Sequence, residues 1–231
     1  MAQITLRGNP INTVGELPAV GSKAPAFNLT GADLGAVTSE QFSGKPVLLN
    51  IFPSVDTPAC ATSVRKFNER AAGGGATVVN VSKDLPFAQK RFCGAEGIEN
   101  VTTASAFRDS FGEDYGTTIA DGPMAGLFAR AVVVIGADGN VAYSQLVPEI
   151  AEEPDYENDW LLDIRLYSRS FRADRASILL DQLGLLDHGL RGHLADRRKF
   201  FDSKERLQKL RPLVAAADVA DDLDLKMIAV A

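Results

Sequence analysis

Two hydrophobic patterns alternate along this chain. "PVLLNIF" (46–52), "ATVVNVS" (76–82) and "RAVVVIG" (130–136) are short continuous apolar runs rich in β-branched residues, as in strands covered on both faces. After the first run, Val64, Phe67 and Ala71 recur at helical spacing, and the glycines at 73–75 stop that helix. "LPFAQKRFC" predicts a second helix, with Pro86 at a first-turn position where its missing N–H costs nothing. "RAVVVIG" and "VAYSQLV" are joined by "ADGN", and Asp138-Gly139 is a strong hairpin signal. Upstream, "QITLRG" and the residues up to "GELP" read as a short N-terminal hairpin, and "AFNLTGADLGAVTSEQFSGK" adds two brief strand-like pieces with turn glycines. The order strand, helix, strand, helix, hairpin predicts a mixed central sheet with flanking helices.

That order is the one found in a thioredoxin-like fold, here an α/β domain preceded by a β-hairpin. The pattern changes near Leu161. Residues 161–231 carry 13 of the 24 Lys and Arg and 11 of the 30 Asp and Glu, so they sit near +2 while residues 1–160 sit near −8. "RADRASILLDQLGLLD" and "DSKERLQKLRPLVAAADVADDLDL" favour helix and show partial 3.6-residue periodicity, with no strand alternation. The expected organisation is therefore a domain over 1–160 and a helical or poorly ordered C-terminal extension of unknown role over 161–231.

Composition narrows the function classes. With 231 residues and 45% hydrophobic content the chain can bury a sizeable core. A net charge of −6, with both signs scattered, argues against nucleic acid or an acidic membrane surface as the main partner. The N-terminus has no apolar run of signal-peptide length, and no stretch approaches the roughly 20 apolar residues of a membrane span. The expected location is cytoplasmic, a reducing compartment in which the two cysteines, Cys60 and Cys93, are catalytic, redox-active or simply buried rather than a permanent staple.

Cys60 ends the stretch "PSVDTPAC". Pro58 belongs at the first helical position, which makes Thr57 the N-cap and puts Cys60 in the first turn, with its sulfur at the positive end of the helix. An exposed helix terminus supplies less than about 1 kcal/mol toward a thiolate, so a nearby cation is wanted as well. Arg130, at the start of a buried strand, is the candidate, and the Thr57 hydroxyl can give or accept a hydrogen bond beside the sulfur. Residues 1–160 contain no histidine, which makes Cys-His acyl transfer a poor fit.

"FPSVDTPACATSVRKF", "SKDLPFAQKRFC" and "ARAVVVIGADGNVAY" together resemble the bacterial thiol peroxidases, the atypical two-cysteine Tpx branch of the peroxiredoxins, over about 1–157. The resemblance implies that Cys60 is the peroxidatic cysteine, Cys93 the resolving cysteine, and Pro53, Thr57 and Arg130 the pocket around the thiolate. It also implies hydroperoxide as substrate, thioredoxin as reductant, a homodimer, and a reaction that needs no metal or organic cofactor. With the two cysteines expected on different helices, a disulfide requires the turns that hold them to loosen if their Cα atoms are more than about 7 Å apart in the reduced form, and local unfolding around Cys60 or Cys93 is the expectation.

Several residues have plainer readings. Cys93 ends an apolar helix after Phe92 and fits packing alone, Arg130 fits a strand-end charge, Thr57 a cap, and Asp56 a turn residue. His188 and His193 match no common metal spacing and read as surface residues. The cluster "DRRKFFDSKERLQK" reads as a solvated helix face. Two other functions compete: a peroxide sensor or redox relay acting through a partner bound to the extension, and a general disulfide reductase. Against the latter, Cys60 is followed by Ala61, Thr62 and Ser63 and lacks a Cys-x-x-C partner.

Overall fold

The computed structural model describes residues 1–72 and 77–156. The glycines at 73–75, the expected extension over 161–231, and both histidines lie outside the described residues.

The N-terminal hairpin pairs β1 (Gln3–Leu6) with β2 (Asn9–Asn12). Next come β3 (Asn28–Gly31), β4 (Ala36–Thr38), β5 (Val47–Ile51), α1 (Pro58–Ala71), β6 (Thr77–Ser82) and α2 (Pro86–Glu96). The described chain continues through β7 (Thr102–Ser105), α3 (Phe111–Asp114), β8 (Ala131–Ile135) and β9 (Val141–Leu146). Among the described residues the main sheet has seven strands in the order β4-β3-β7-β6-β5-β8-β9. Strands β5, β6 and β7 run parallel, and β8, β9 and β3 run antiparallel to their neighbours. This is the expected mixed sheet with flanking helices.

Strand alternation explains the layering. Val47, Leu49 and Ile51 of β5 enter one core with Val79, Val81, Val133, Phe111 and Phe128. Leu48 turns to the opposite face and packs with Phe67 of α1, Val78, Val132 and Val134. All five residues of β5 are buried, as the unbroken apolar run requires. Each large side chain removed from water here contributes about 1.5–3 kcal/mol. Helix α1 begins at Pro58 as expected, and α2 runs on past Cys93 to Glu96, where Gly97 takes the left-handed conformation (φ 63°) that closes the helix.

Two elements lie outside the expected order. β7 reads "TTAS", too polar to register as a strand, yet Thr103, Ala104 and Ser105 are buried because β7 sits between β3 and β6. α3 is a four-residue helix whose Phe111 stacks on Tyr115, and burial pushes the Tyr115 hydroxyl to a higher pKa than a free tyrosine.

Candidate functional site

The register of the sheet gathers the candidate residues at one end. Val47 to Ile51 pair with Ile135 to Ala131, so Arg130, just before β8, lies beside the Phe52–Thr57 loop that leaves the carboxyl end of β5. Ile51 also pairs with Val81 of the parallel neighbour, which brings the β6–α2 connection to the same end. Crevices at the carboxyl ends of parallel strands are the usual place for chemistry in such sheets.

Cys60 occupies the first turn of α1 and is fully buried. Two donor groups converge on its sulfur. Thr57 Oγ1 lies 2.6 Å from Cys60 Sγ, and Arg130 Nη2 lies 3.2 Å from it. Thr57 is the N-cap by position but makes no side-chain capping bond, so its hydroxyl is free for the sulfur and for the Ser54 carbonyl at 3.2 Å. With a thiol the S–H donates to Thr57 Oγ1 and the hydroxyl donates to Ser54; with a thiolate the hydroxyl turns and donates to sulfur. Pro53 is buried behind this loop.

Arg130 is 1% exposed. Its Nε and Nη2 donate to the Ile150 carbonyl at 3.3 and 3.2 Å, which fixes the plane of the guanidinium. Its Nη1 is buried and has no hydrogen-bond partner among the described residues. A buried unsatisfied donor costs about 1–3 kcal/mol, so this nitrogen gains from any acceptor brought to it.

Polar groups hold Cys60 from below. Ser63 Oγ donates to the Cys60 carbonyl at 2.9 Å, and Asn50 Nδ2 lies 3.4 Å from Ser63 Oγ and 2.7 Å from Asn80 Oδ1. Asp84 reaches the loop from the side, accepting from Ser54 Oγ (2.7 Å), Val55 N–H (2.8 Å) and Ser82 Oγ (2.8 Å).

Cys93 lies on α2, half-buried, and like Cys60 is a free thiol. Both cysteines touch one apolar cluster: Phe52, Val55, Cys60, Val64 and Ile98 form it, and Phe92 and Cys93 pack against it. Burial pushes the Cys93 thiol up, and a hydrogen bond with Thr103 works the other way. Its other side lines a groove of about 530 Å³ with Asp33, Lys90, Gly97 and Thr103.

The structure thus brings Thr57, Cys60 and Arg130 together, keeps Pro53 buried in the adjoining loop, and packs Cys93 against the apolar cluster that contains Cys60. Asp56 is an exposed turn residue, 3.5 Å from Arg91 Nη2. Sequence reasoning missed Asp84, the Asn50–Asn80 pair and the Ile150 carbonyl. Asp84 had a faint local signal, a carboxylate just ahead of a helix opening on Pro86; the carbonyl had none.

Known proteins resemble this chain in sequence and fold. The Redoxin family model matches residues 19–160. The thiol peroxidase of Mycobacterium tuberculosis is 83% identical over 157 residues, covering 68% of this chain and 95% of the relative. The thiol peroxidase of Corynebacterium glutamicum is 57% identical over 158 residues, covering 68% and 96%. A solved peroxiredoxin-like protein from Aquifex aeolicus matches with a TM-score of 0.68 at 43% identity, covering 72% of this chain and 98% of its own. The chain belongs to the Redoxin family and, within it, to the thiol peroxidases.

Proposed function

We propose that Cys60 is the peroxidatic thiol of this enzyme and that Thr57, Arg130 and Pro53 form the pocket in which it meets a hydroperoxide. The observation that carries the reading is the convergence of the Thr57 hydroxyl and the Arg130 guanidinium on one buried sulfur. Cys60 thiolate attacks the terminal oxygen of the hydroperoxide; the S–O bond forms as the O–O bond breaks. The departing oxygen leaves with a proton as water or alcohol, and Cys60 becomes a sulfenic acid. The buried Nη1 donor of Arg130, unpaired among the described residues, suits the peroxide oxygens, where negative charge builds as the O–O bond lengthens. Because the site is buried, water does not weaken that interaction.

Cys93 is the resolving cysteine in this reading. Its sulfur attacks the sulfenic sulfur and releases water as the Cys60–Cys93 disulfide forms, and a dithiol of thioredoxin type reduces that disulfide. Each thiol is anchored in helical backbone: the Cys60 carbonyl accepts from Ser63, and the Cys93 carbonyl accepts from the Ile98 N–H at 3.0 Å. We therefore include loosening of one or both turns in the catalytic cycle. The catalytic unit is placed within 1–160, in line with the family match over 19–160, and the extension is given no role in the chemistry.

Thioredoxin as the reductant, a homodimer and a cytoplasmic location complete the proposal. Leu85, which precedes α2, Phe87 in its first turn and Phe107 after β7 are exposed apolar side chains available to a second copy or to the reductant. Among the described residues, no helix is long and apolar enough to cross a membrane. The relay alternative needs a partner on 161–231, outside the described residues, and no specific observation favours it. Peroxide-dependent NADPH oxidation coupled through thioredoxin and thioredoxin reductase tests the assignment. Turnover with cumene hydroperoxide should vanish in Cys60→Ser; turnover that survives there contradicts it.

A further inference from the structure

Arg130 is oriented by a carbonyl, and the residue before that carbonyl carries a carboxylate bound by a turn about 140 positions away. The Ile150 oxygen that receives Nε and Nη2 of Arg130 belongs to a segment with no place in the main sheet. It follows β9, its Val147 N–H donates to the Arg130 carbonyl at 2.9 Å, and the N-terminal hairpin braces it from the other side of Ile150. Thr5 N–H donates to the Pro148 carbonyl at 2.7 Å and Ile150 N–H donates to the Thr5 carbonyl at 2.9 Å.

Glu149 fastens the two together. One carboxylate oxygen accepts from Arg7 N–H (2.9 Å) and Ala151 N–H (3.1 Å), the other from Thr5 Oγ1 (2.8 Å) and Gly8 N–H (3.0 Å). Arg7 and Gly8 both have positive φ, 53° and 79°. Two successive left-handed residues make the tight hairpin turn, and they turn neighbouring N–H groups into a concave anion site. The carboxylate fills that site. The Gly8 and Arg7 N–H groups hold the Glu149 carboxyl far below the usual range, at about 2, so it is ionised wherever the enzyme works.

We propose that Glu149 is a positioning residue for the peroxidase reaction: by tying the Arg7–Gly8 turn to residues 148–151, its carboxylate fixes the Ile150 carbonyl that aims Arg130 at Cys60. This rests on the assignment of Arg130 to the reaction. It gives the N-terminal hairpin a function, since the hairpin supplies the Thr5 and Arg7–Gly8 contacts that help place the acceptor for Arg130. Glu149→Gln keeps the shape but turns an NH2 group toward N–H donors and removes the charge.

The test uses the full chain and the second-order rate of Cys60 oxidation by cumene hydroperoxide under single-turnover conditions. Glu149→Gln should slow it about ten- to a hundredfold, the usual cost of a catalytic group displaced by a fraction of an ångström to an ångström. The 15N–1H resonance of Arg130 Nε should move, which a general loss of stability does not produce. Adding Glu149→Gln to Arg130→Lys should slow oxidation no further, because both act through one guanidinium. Thr5→Val, which deletes one donor and is the milder change, should shift rate and resonance in the same direction and keeps the test decisive should the Gln variant not fold. An unmoved resonance with a rate within about twofold of the parent, or slowing that multiplies with that of Arg130→Lys, overturns the inference. A parental rate in Arg130→Lys alone overturns the underlying reading, and is told apart by that single variant.

Discussion

Asp84 offers a way to change how the enzyme divides its oxidised form between two fates. Sulfenic acid on Cys60 either meets Cys93 or is attacked by a second peroxide and becomes sulfinic acid. The first route requires the loop and turn around Cys60 to open, so the population of the open form sets the partition. Among the described residues, α2 and its approach are tied to the Cys60 loop and α1 by Asp84 with Ser54 and Val55, by Arg91 with Asp56 (3.5 Å), and by Glu96 with Arg65 (2.8 Å). Exposed ion pairs such as the last two contribute at most about 1 kcal/mol. Hydrogen bonds to a charged carboxylate contribute about 1.5–3 kcal/mol each, against about 1 for neutral ones, so Asp84 dominates the latch. Asp84→Asn keeps one acceptor oxygen but loses the charge, a loss of about 1–2 kcal/mol and hence an open population about five- to thirtyfold larger. The assay exposes reduced protein to graded excess hydroperoxide and reads disulfide against sulfinic acid by intact mass. The peroxide concentration that gives half sulfinic acid should rise by that factor. An unchanged or lower concentration would mean that Asp84 does not restrain the opening.

Three further expectations follow from the same geometry. Thr57→Val removes the hydroxyl at 2.6 Å from the sulfur and should slow Cys60 oxidation about ten- to a hundredfold, the range of a hydrogen bond to a charged group, with Thr57→Ser restoring most of it; single-turnover kinetics checks both. Cys93, pushed above the ordinary thiol value of 9.0 by burial, should be alkylated in Cys60→Ser with a pH midpoint higher in the folded protein than in urea, and the stability this burial gives is present below 9.0 and lost as pH rises past it. Glu149 is shifted the other way, from 4.5 to about 2, so its contribution to stability is complete above 4.5 and disappears as pH falls toward 2. Acid unfolding followed by circular dichroism should accordingly be shallower over that interval in Glu149→Gln.

The sequence exposes those parts of the molecule that rest on local rules. The β5, β6 and β8 runs are legible because each strand is buried on both faces. The start of α1 is legible because Pro58 has few other places to stand, and with it comes the location of Cys60 at a helix N-terminus. Arg130 is identifiable as a strand-end cation, though its meeting with Cys60 becomes physical only through the antiparallel register of β5 and β8. β7 is hidden because its burial is conferred by neighbouring strands rather than by its own composition. Asp84, Ile150 and Glu149 are hidden for a related reason: their partners lie about 30, 20 and 140 positions away, beyond any periodic pattern. Glu149 looks like an ordinary surface acid until Arg7 and Gly8 are seen turning their N–H groups toward it.

In the proposed cycle Cys60 takes the peroxide oxygen and Cys93 resolves it. The most direct test of this cycle is one turnover with a single equivalent of hydroperoxide, followed by mapping of the oxidised sulfur in the parent, Cys93→Ser and Cys60→Ser proteins. The expected products are a Cys60–Cys93 disulfide within one chain in the parent, a trappable sulfenic acid on Cys60 in Cys93→Ser, and no rapid oxidation in Cys60→Ser. Rapid formation of sulfenic acid on Cys93 in the absence of Cys60 would contradict the proposed cycle.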